Sequence, residues 1–180
     1  SAFVGQVADL VTLDNPISED LTVLRAHLVP GLLGTVAHNL NHGQTSLRLF
    51  EVGRCFDGPL TDNGVTENWS VAIALTGSQR GDHWKDISTP VDFYDLKGIV
   101  EHITKQMIWP KWQWNTGKSP GIDEAATALI RNNVDPGIPE GWAGRISADT
   151  AQTFDIDVEV WVAELNVDRL IGCPHPTIPG

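Results

Sequence analysis

LRLFEVGRCFDGPLTDNGVTENWSVAIALTG, residues 47–77, decides the fold. Its two ends, LRLFEVGRCF at 47–56 and WSVAIALTG at 69–77, are apolar runs carrying Phe, Val, Trp and Ile, and each reads as a strand. The first reads as buried on much of both faces. Between them, DGPLTDNGVTEN at 57–68 is dense in Gly, Pro, Asp and Asn and predicts a long loop. Two strands joined this way form an antiparallel hairpin. A hairpin ahead of the main helix argues for an α+β fold, a mostly antiparallel sheet with helices to one side, and against alternating βαβ units.

Upstream lies NPISEDLTVLRAHLVPGLL at 15–33. Asn15-Pro16 and Ser18-Glu19-Asp20 are turn and capping material in an irregular or extended stretch. Pro30 suits the first turn of a helix, where its missing N–H costs nothing. Leu32, Leu33, Val36 and Leu40 follow at helical spacing, and Gly43 is a stop, so the pattern predicts a helix over 30–42. Downstream, Phe93, Leu96, Val100, Ile103 and Met107 recur at three- and four-residue steps in VDFYDLKGIVEHITKQM, the clearest helix in the chain. KWQWN at 111–115, AATALIR at 125–131, GWAGRISA at 141–148 and VEVWVAEL at 158–165 read as strands. Loops are expected at 116–124 and 132–141, a turn or short helix at 149–155, a last helical turn at NVDRLI and a Pro-rich exit at CPHPTIPG. No internal repeat or low-complexity block is visible.

The chain has 180 residues, enough for one large domain with a real core. Its 12 basic and 23 acidic residues give a formal charge of −11. Nucleic-acid binding leans on Lys and Arg neutralising phosphates, so this balance argues against a stand-alone nucleic-acid binder and against an anionic membrane surface. No apolar run reaches the length of a membrane span, and no basic n-region precedes an apolar segment at the start. Cys55 and Cys173 form no CxxC pair, which fits a reducing cytoplasm.

Motifs that could carry chemistry are weak. GKS at 117–119 ends like a phosphate-binding loop, but Trp112 stands where the pattern needs glycine. His38 and His42 have metal-ligand spacing on one helix face, without a third ligand; they read as surface or interface histidines. Asp92, Asp95, Glu101 and His102 read as a solvated helix face with a dipole-complementing start. GWAGR at 141–145 sets glycines beside an arginine, too short a string to separate from a glycine-containing hairpin. There is no GxSxG elbow. Trp69, Trp112, Trp114 and Trp161 fall in predicted strands, where packing accounts for them.

Three stretches together resemble one family. DNPISEDLTVLRAHLVPGLLGTVAHNLNHGQTSLRLFEVGRCF at 14–56, GDHWKD with VDFYDLKGIVE at 81–101, and VEVWVAELNVDRL at 158–170 are similar, in order and separation, to β subunits of bacterial phenylalanyl-tRNA synthetase. The resemblance implies a class II aminoacyl-tRNA synthetase-like module without the catalytic motifs, over 1–172, with 173–180 leading toward an anticodon-binding domain. It implies a non-catalytic part in a phenylalanine–tRNA ligase, paired with the α subunit in an (αβ)2 tetramer. ATP and magnesium would serve the parent enzyme, with no cofactor in this stretch. Phenylalanine tRNA would be met through other modules.

Under this resemblance, positions 15–42 are the degenerate counterpart of a motif that builds the subunit interface. Leu24, Arg25, Leu28, Leu32, Leu33, Val36 and Leu40 are then the interface candidates, and His27 is a packing group beside Arg25. Arg48, Glu51 and Arg54 lie where an ATP-gripping motif would sit, without its pattern. The chain departs from the family where histidines are replaced by Ser119 and by Ser147 or Ala148. Two rivals remain: a divergent adenylate-forming or hydrolytic enzyme, with arginines and an acid converging in one pocket, and a free-standing binding module.

Overall fold

A computed structural model of the chain describes residues 24–61, 64–79, 89–106, 112–131, 137 and 139–172. The expectations for Asn15 to Asp20, GDHWKD, Met107 and the exit from Cys173 onward lie outside these residues. Helix α1 spans Val29–Asn41, α2 Phe93–Gln106, α3 Ala148–Thr153 and α4 Val167–Gly172. The strands are β1 Leu47–Thr61, β2 Gly64–Thr76, β3 Gln113–Thr116, β4 Ile122–Arg131, β5 Gly141–Ile146 and β6 Val160–Asn166. They form an antiparallel sheet in the order β1-β2-β6-β5-β4-β3.

The two main helices fall where periodicity put them. Pro30 sits in the first turn of α1. At the other end Gly43 adopts φ 83°, which lets its N–H donate to Leu40 O and that of Gln44 to Asn39 O, closing the helix in a Schellman turn. Asp92 caps α2 by accepting from the N–H groups of Tyr94 and Asp95.

The hairpin departs from expectation. Residues 57–68 are not a long loop. The ladder continues through Asp57↔Thr66 to Thr61↔Gly64, with a register shift between Asp57 and Thr61. Turn-forming residues here sit in a two-stranded ribbon, because cross-strand pairing overrides local preference. Strand β4 also begins at Ile122, inside the expected loop.

The helices are not to one side. Alternate residues of β2 and β6 feed two cores. Ala72, Ala74, Val160 and Val162 pack with Leu28, Val29, Leu32, Leu33 and Val36 of the α1 region. Ile73, Leu75, Trp161, Ala163 and Leu165 pack with Leu96 and Val100 of α2 and Leu170 of α4. Every residue from Val160 to Leu165 is buried, so both faces of the central strand need cover and receive it.

Candidate functional site

Arg25 and His27 lead directly into α1. No side chain of the adjoining chain caps that helix: its N-cap residue is Leu28, and its first turn holds no acidic residue. The orphan donors at a helix start need a partner. It comes from the far end of the chain. Glu164, on the α1 face of β6, is 5% exposed, and its Oε2 accepts the N–H of Leu28 at 3.0 Å and of Val29 at 3.2 Å. Its Oε1 lies 3.1 Å from His27 Nδ1 and 4.0 Å from the Sγ of the buried thiol Cys55. His27 also meets Trp142 edge-on, with ring centroids 6.5 Å apart.

A buried carboxylate is tolerable only when its charge is met by donors. Here two backbone N–H groups at the positive end of a helix, with His27 beside them, supply that. A cleft of about 150 Å³ opens at this point, lined among others by His27, Cys55, Ser70, Glu140, Trp142 and Arg169. Both oxygens of Glu164 face partners within the chain. Its chemistry is that of an anchor for α1 rather than of a general base.

Arg25 takes the neighbouring task. Its Nε donates to Arg54 O at 2.9 Å and its Nη1 pairs with Glu51 at 2.7 Å, so the guanidinium lies across β1. It passes over Gly53, where a Cβ would collide with Arg25 Nη2. The seven interface candidates separate by exposure. Leu28, Leu32, Leu33 and Val36 are inside this chain's own core, Leu24 and Leu40 are half-buried, and Arg25 is exposed. A partner surface reaches only the last three directly. The buried four act on any interface by holding the helix in place.

The remaining motifs resolve into architecture. Gly141 and Gly144 of GWAGR are required by close packing: a Cβ would strike Glu164 O and Leu165 at the first, and Ala126 O and Ile122 at the second. Arg145 pairs with Asp123 at 2.6 Å and Glu159 at 2.5 Å and lies over Trp161, 5.9 Å from its centroid. Hydrogen bonding to Arg145, with a further bond from Ala125 N–H, holds the Asp123 carboxyl below its ordinary 3.8, and the two carboxylates raise Arg145. A second cleft, about 310 Å³, is lined by these three charges, already paired. Lys118 of GKS pairs with Glu124 at 2.7 Å on the surface. His42 Nδ1 lies 2.7 Å from His38 O, and the two rings are 4.3 Å apart. Asp95 accepts from Asp92 N–H and Gln79 Nε2, and Glu101 pairs with Lys97 at 3.7 Å. Arg48 donates to Ser78 O and Gln79 O, while Arg54 pairs with Glu67 and stacks on Trp69.

The described arginines therefore do not converge on a pocket, and among the described residues no group of three His, Cys, Asp or Glu is placed to hold a metal ion. The described residues, with their arginines already bonded within the scaffold, form no cradle fitted to ATP and magnesium. The sequence reading missed Glu164. Its signal was an acidic residue at an inward position of a strand otherwise apolar on both faces. Among the described residues, no helix is long and apolar enough to cross a membrane.

Residues 2–167 match the family model described as the phenylalanyl tRNA synthetase beta chain CLM domain. The chain is 35% identical over 173 residues to the phenylalanine–tRNA ligase beta subunit of Salinibacter ruber, covering 91% of this chain and 21% of that one. It is 37% identical over 180 residues to the beta subunit of Chlorobium chlorochromatii, covering 93% and 22%. The chain thus spans about a fifth of the length of the curated relatives it matches. Among solved structures, the pyrrolysyl-tRNA synthetase of Desulfitobacterium hafniense superposes with a TM-score of 0.64 at 13% identity, over 91% of this chain and 51% of that one. That likeness shows a class II synthetase-like fold.

Proposed function

The chain belongs to the phenylalanyl-tRNA synthetase beta chain family, as its CLM domain, and from that premise we propose that it is a non-catalytic assembly and support module. Its parent enzyme joins phenylalanine to its tRNA using ATP and magnesium, in the cytoplasm. The module runs through residue 172, with 173–180 as a linker. Its partner is the synthetase α subunit in an (αβ)2 tetramer, and phenylalanine tRNA is engaged by other parts of the complex. Within the module, the α1 region from Leu24 to Leu40 orients the surface turned toward the α subunit.

One observation carries this reading. Among the described residues, the arginines that a synthetase site would need free are tied into the scaffold. Transfer of an adenylate requires cations aimed at the developing phosphate charge. Arg25, Arg54 and Arg145 are bound by carboxylates, and Arg48, Arg131 and Arg169 donate to backbone carbonyls. The buried carboxylate of Glu164 fastens α1.

The test has two arms. The chain alone is expected to give no phenylalanine-dependent exchange of pyrophosphate into ATP; exchange above background would instead establish the divergent-enzyme reading. Co-expressed with the synthetase α subunit of the same organism, it is expected to elute as a complex. Failure to associate would sink the assembly role.

A further inference from the structure

The solvent face of α1 ends in two histidines. His38 and His42 stand one helical turn apart, and both are exposed. Their ring centroids are 4.3 Å apart, with the planes 37° from parallel. Two imidazoles that each place a nitrogen about 2.0–2.1 Å from one ion, side by side, bring their ring centres to about 4–5 Å. The pair therefore already has the spacing of two ligands on one cation.

One ring is also held in the tautomer a metal needs. His42 Nδ1 lies 2.7 Å from His38 O. A carbonyl oxygen only accepts, so Nδ1 carries the hydrogen, and neutral His42 keeps its lone pair on Nε2. A metal-bound histidine commonly gives its other N–H to a carbonyl, which sets the tautomer and makes the ligating nitrogen more basic. The surroundings leave room. Helical side chains lean over the turn before their own. The turn before His38 holds Gly34, where a Cβ would meet nothing within 4 Å. The polar neighbours Thr35 and Asn39 bond back to the helix, at Gly31 O and Thr35 O. From Val29 to Asn41 there is no Lys or Arg to repel a metal ion, and the formal charge of −11 on the chain favours one.

We propose that His38 and His42 form a divalent transition-metal site on the surface of α1, with water in the remaining coordination positions. Imidazole nitrogen selects zinc, nickel or copper over magnesium and calcium, which take oxygen ligands. Two ligands on one helix reinforce each other: once one ring is bound, the second meets the ion at a high effective concentration. The ion spans the last turn of α1, beside the Schellman turn at Gly43, and so braces the end of the helix. Only folded α1 sets the two rings side by side, and a ligand that binds the native state alone raises stability. With two protein ligands the site is weaker than a structural zinc centre, which has four. It does not depend on the assembly role proposed above.

The test uses the chain without a histidine tag, with zinc alone as the probe and magnesium as the control ion. Histidine ring signals are followed by NMR, Kd by calorimetry and stability by thermal scans, for wild type, His38→Ala, His42→Ala and His102→Ala. All three substitutions are at exposed positions, so the metal-free midpoints are expected to stay near that of wild type. Zinc is expected to shift the His38 and His42 ring signals together and to raise the midpoint. Either of His38→Ala and His42→Ala is expected to raise Kd by about tenfold or more and to remove the thermal gain. His102→Ala, on the exposed side of α2, is expected to bind zinc as wild type does. Zinc that leaves both ring signals in place, or binds the His38 and His42 variants as tightly as wild type, overturns the site, even where it binds elsewhere on the chain. A shift of one ring alone overturns the chelate. Equal shifts from magnesium overturn the selectivity.

Discussion

Replacing Glu164 tests whether a single side chain on β6 holds the start of α1. In Glu164→Leu the N–H groups of Leu28 and Val29 lose their acceptor in a site where both residues are essentially buried. Each unpaired buried donor costs about 1–3 kcal/mol. Relief from burying a carboxylate offsets part of that sum, leaving about 2–4 kcal/mol of net loss. For a domain of this size, that lowers the melting temperature by roughly 5–15 °C. Glu164→Gln keeps an acceptor oxygen within reach of both donors and loses only the charge, so it is expected to cost about 1 kcal/mol. His27→Ala removes the contact to Glu164 Oε1 and the edge-on packing on Trp142 while leaving both backbone donors paired, and is expected to cost less than the Leu variant. Urea unfolding gives the three values, and amide exchange at Leu28 and Val29 reports the anchor directly. A Leu variant within about 0.5 kcal/mol of wild type, with those amides still protected, would refute the anchoring role.

Three further outcomes follow from the same geometry. Leu33→Ala removes a fully buried side chain beneath α1 and is expected to cost about 2–5 kcal/mol by chemical denaturation, with no change in oligomeric state. Gly141→Ala forces a methyl against the backbone of Glu164 and Leu165, which is expected to cost about 1–3 kcal/mol; a neutral result would mean that β5 can move away from β6. Asp123 has a folded pKa held below its ordinary value, so it contributes stability that is present above about 3.8 and lost as pH falls through the lowered value. The stability difference between wild type and Asp123→Asn is therefore expected at neutral pH and to close in acid, and a pH-independent difference would contradict the Arg145 pairing.

Much of this fold was legible because burial leaves a period. α1, α2 and the late strand β6 each carry an apolar spacing that one window of sequence reveals. What was not legible depended on partners far along the chain. DGPLTDNGVTEN has the composition of a loop, and only the facing strand makes it a ladder. The division of helices between two faces follows from the two-sided burial of β2 and β6, which a run of apolar residues does not separate from one-sided burial. Among the candidate residues, apolar spacing on α1 found Leu28, Leu32, Leu33 and Val36 but could not say whether a partner or this chain's own sheet covers them. The structure places them in this chain's own core, so charged substitutions at Leu33 or Val36 would unfold the module before testing an interface. Glu164 was invisible because the donors it serves lie 135 and 136 residues away.

The position of β6 has a consequence for the order of folding. In the sheet it lies between the β1-β2 ribbon and the β5-β4-β3 meander, yet it is the last strand to be synthesised. Until it inserts, the two halves have no edge in common, the core beneath α1 lacks Val160 and Val162, and the start of α1 lacks its acceptor. Contacts of such sequence separation must all form late, which favours slow, all-or-none closure over stepwise growth from the N-terminus. A nascent chain stalled before residue 160 would be expected to remain open to proteases along most of its length, and release of the last strand from the ribosome would be the event that completes the domain.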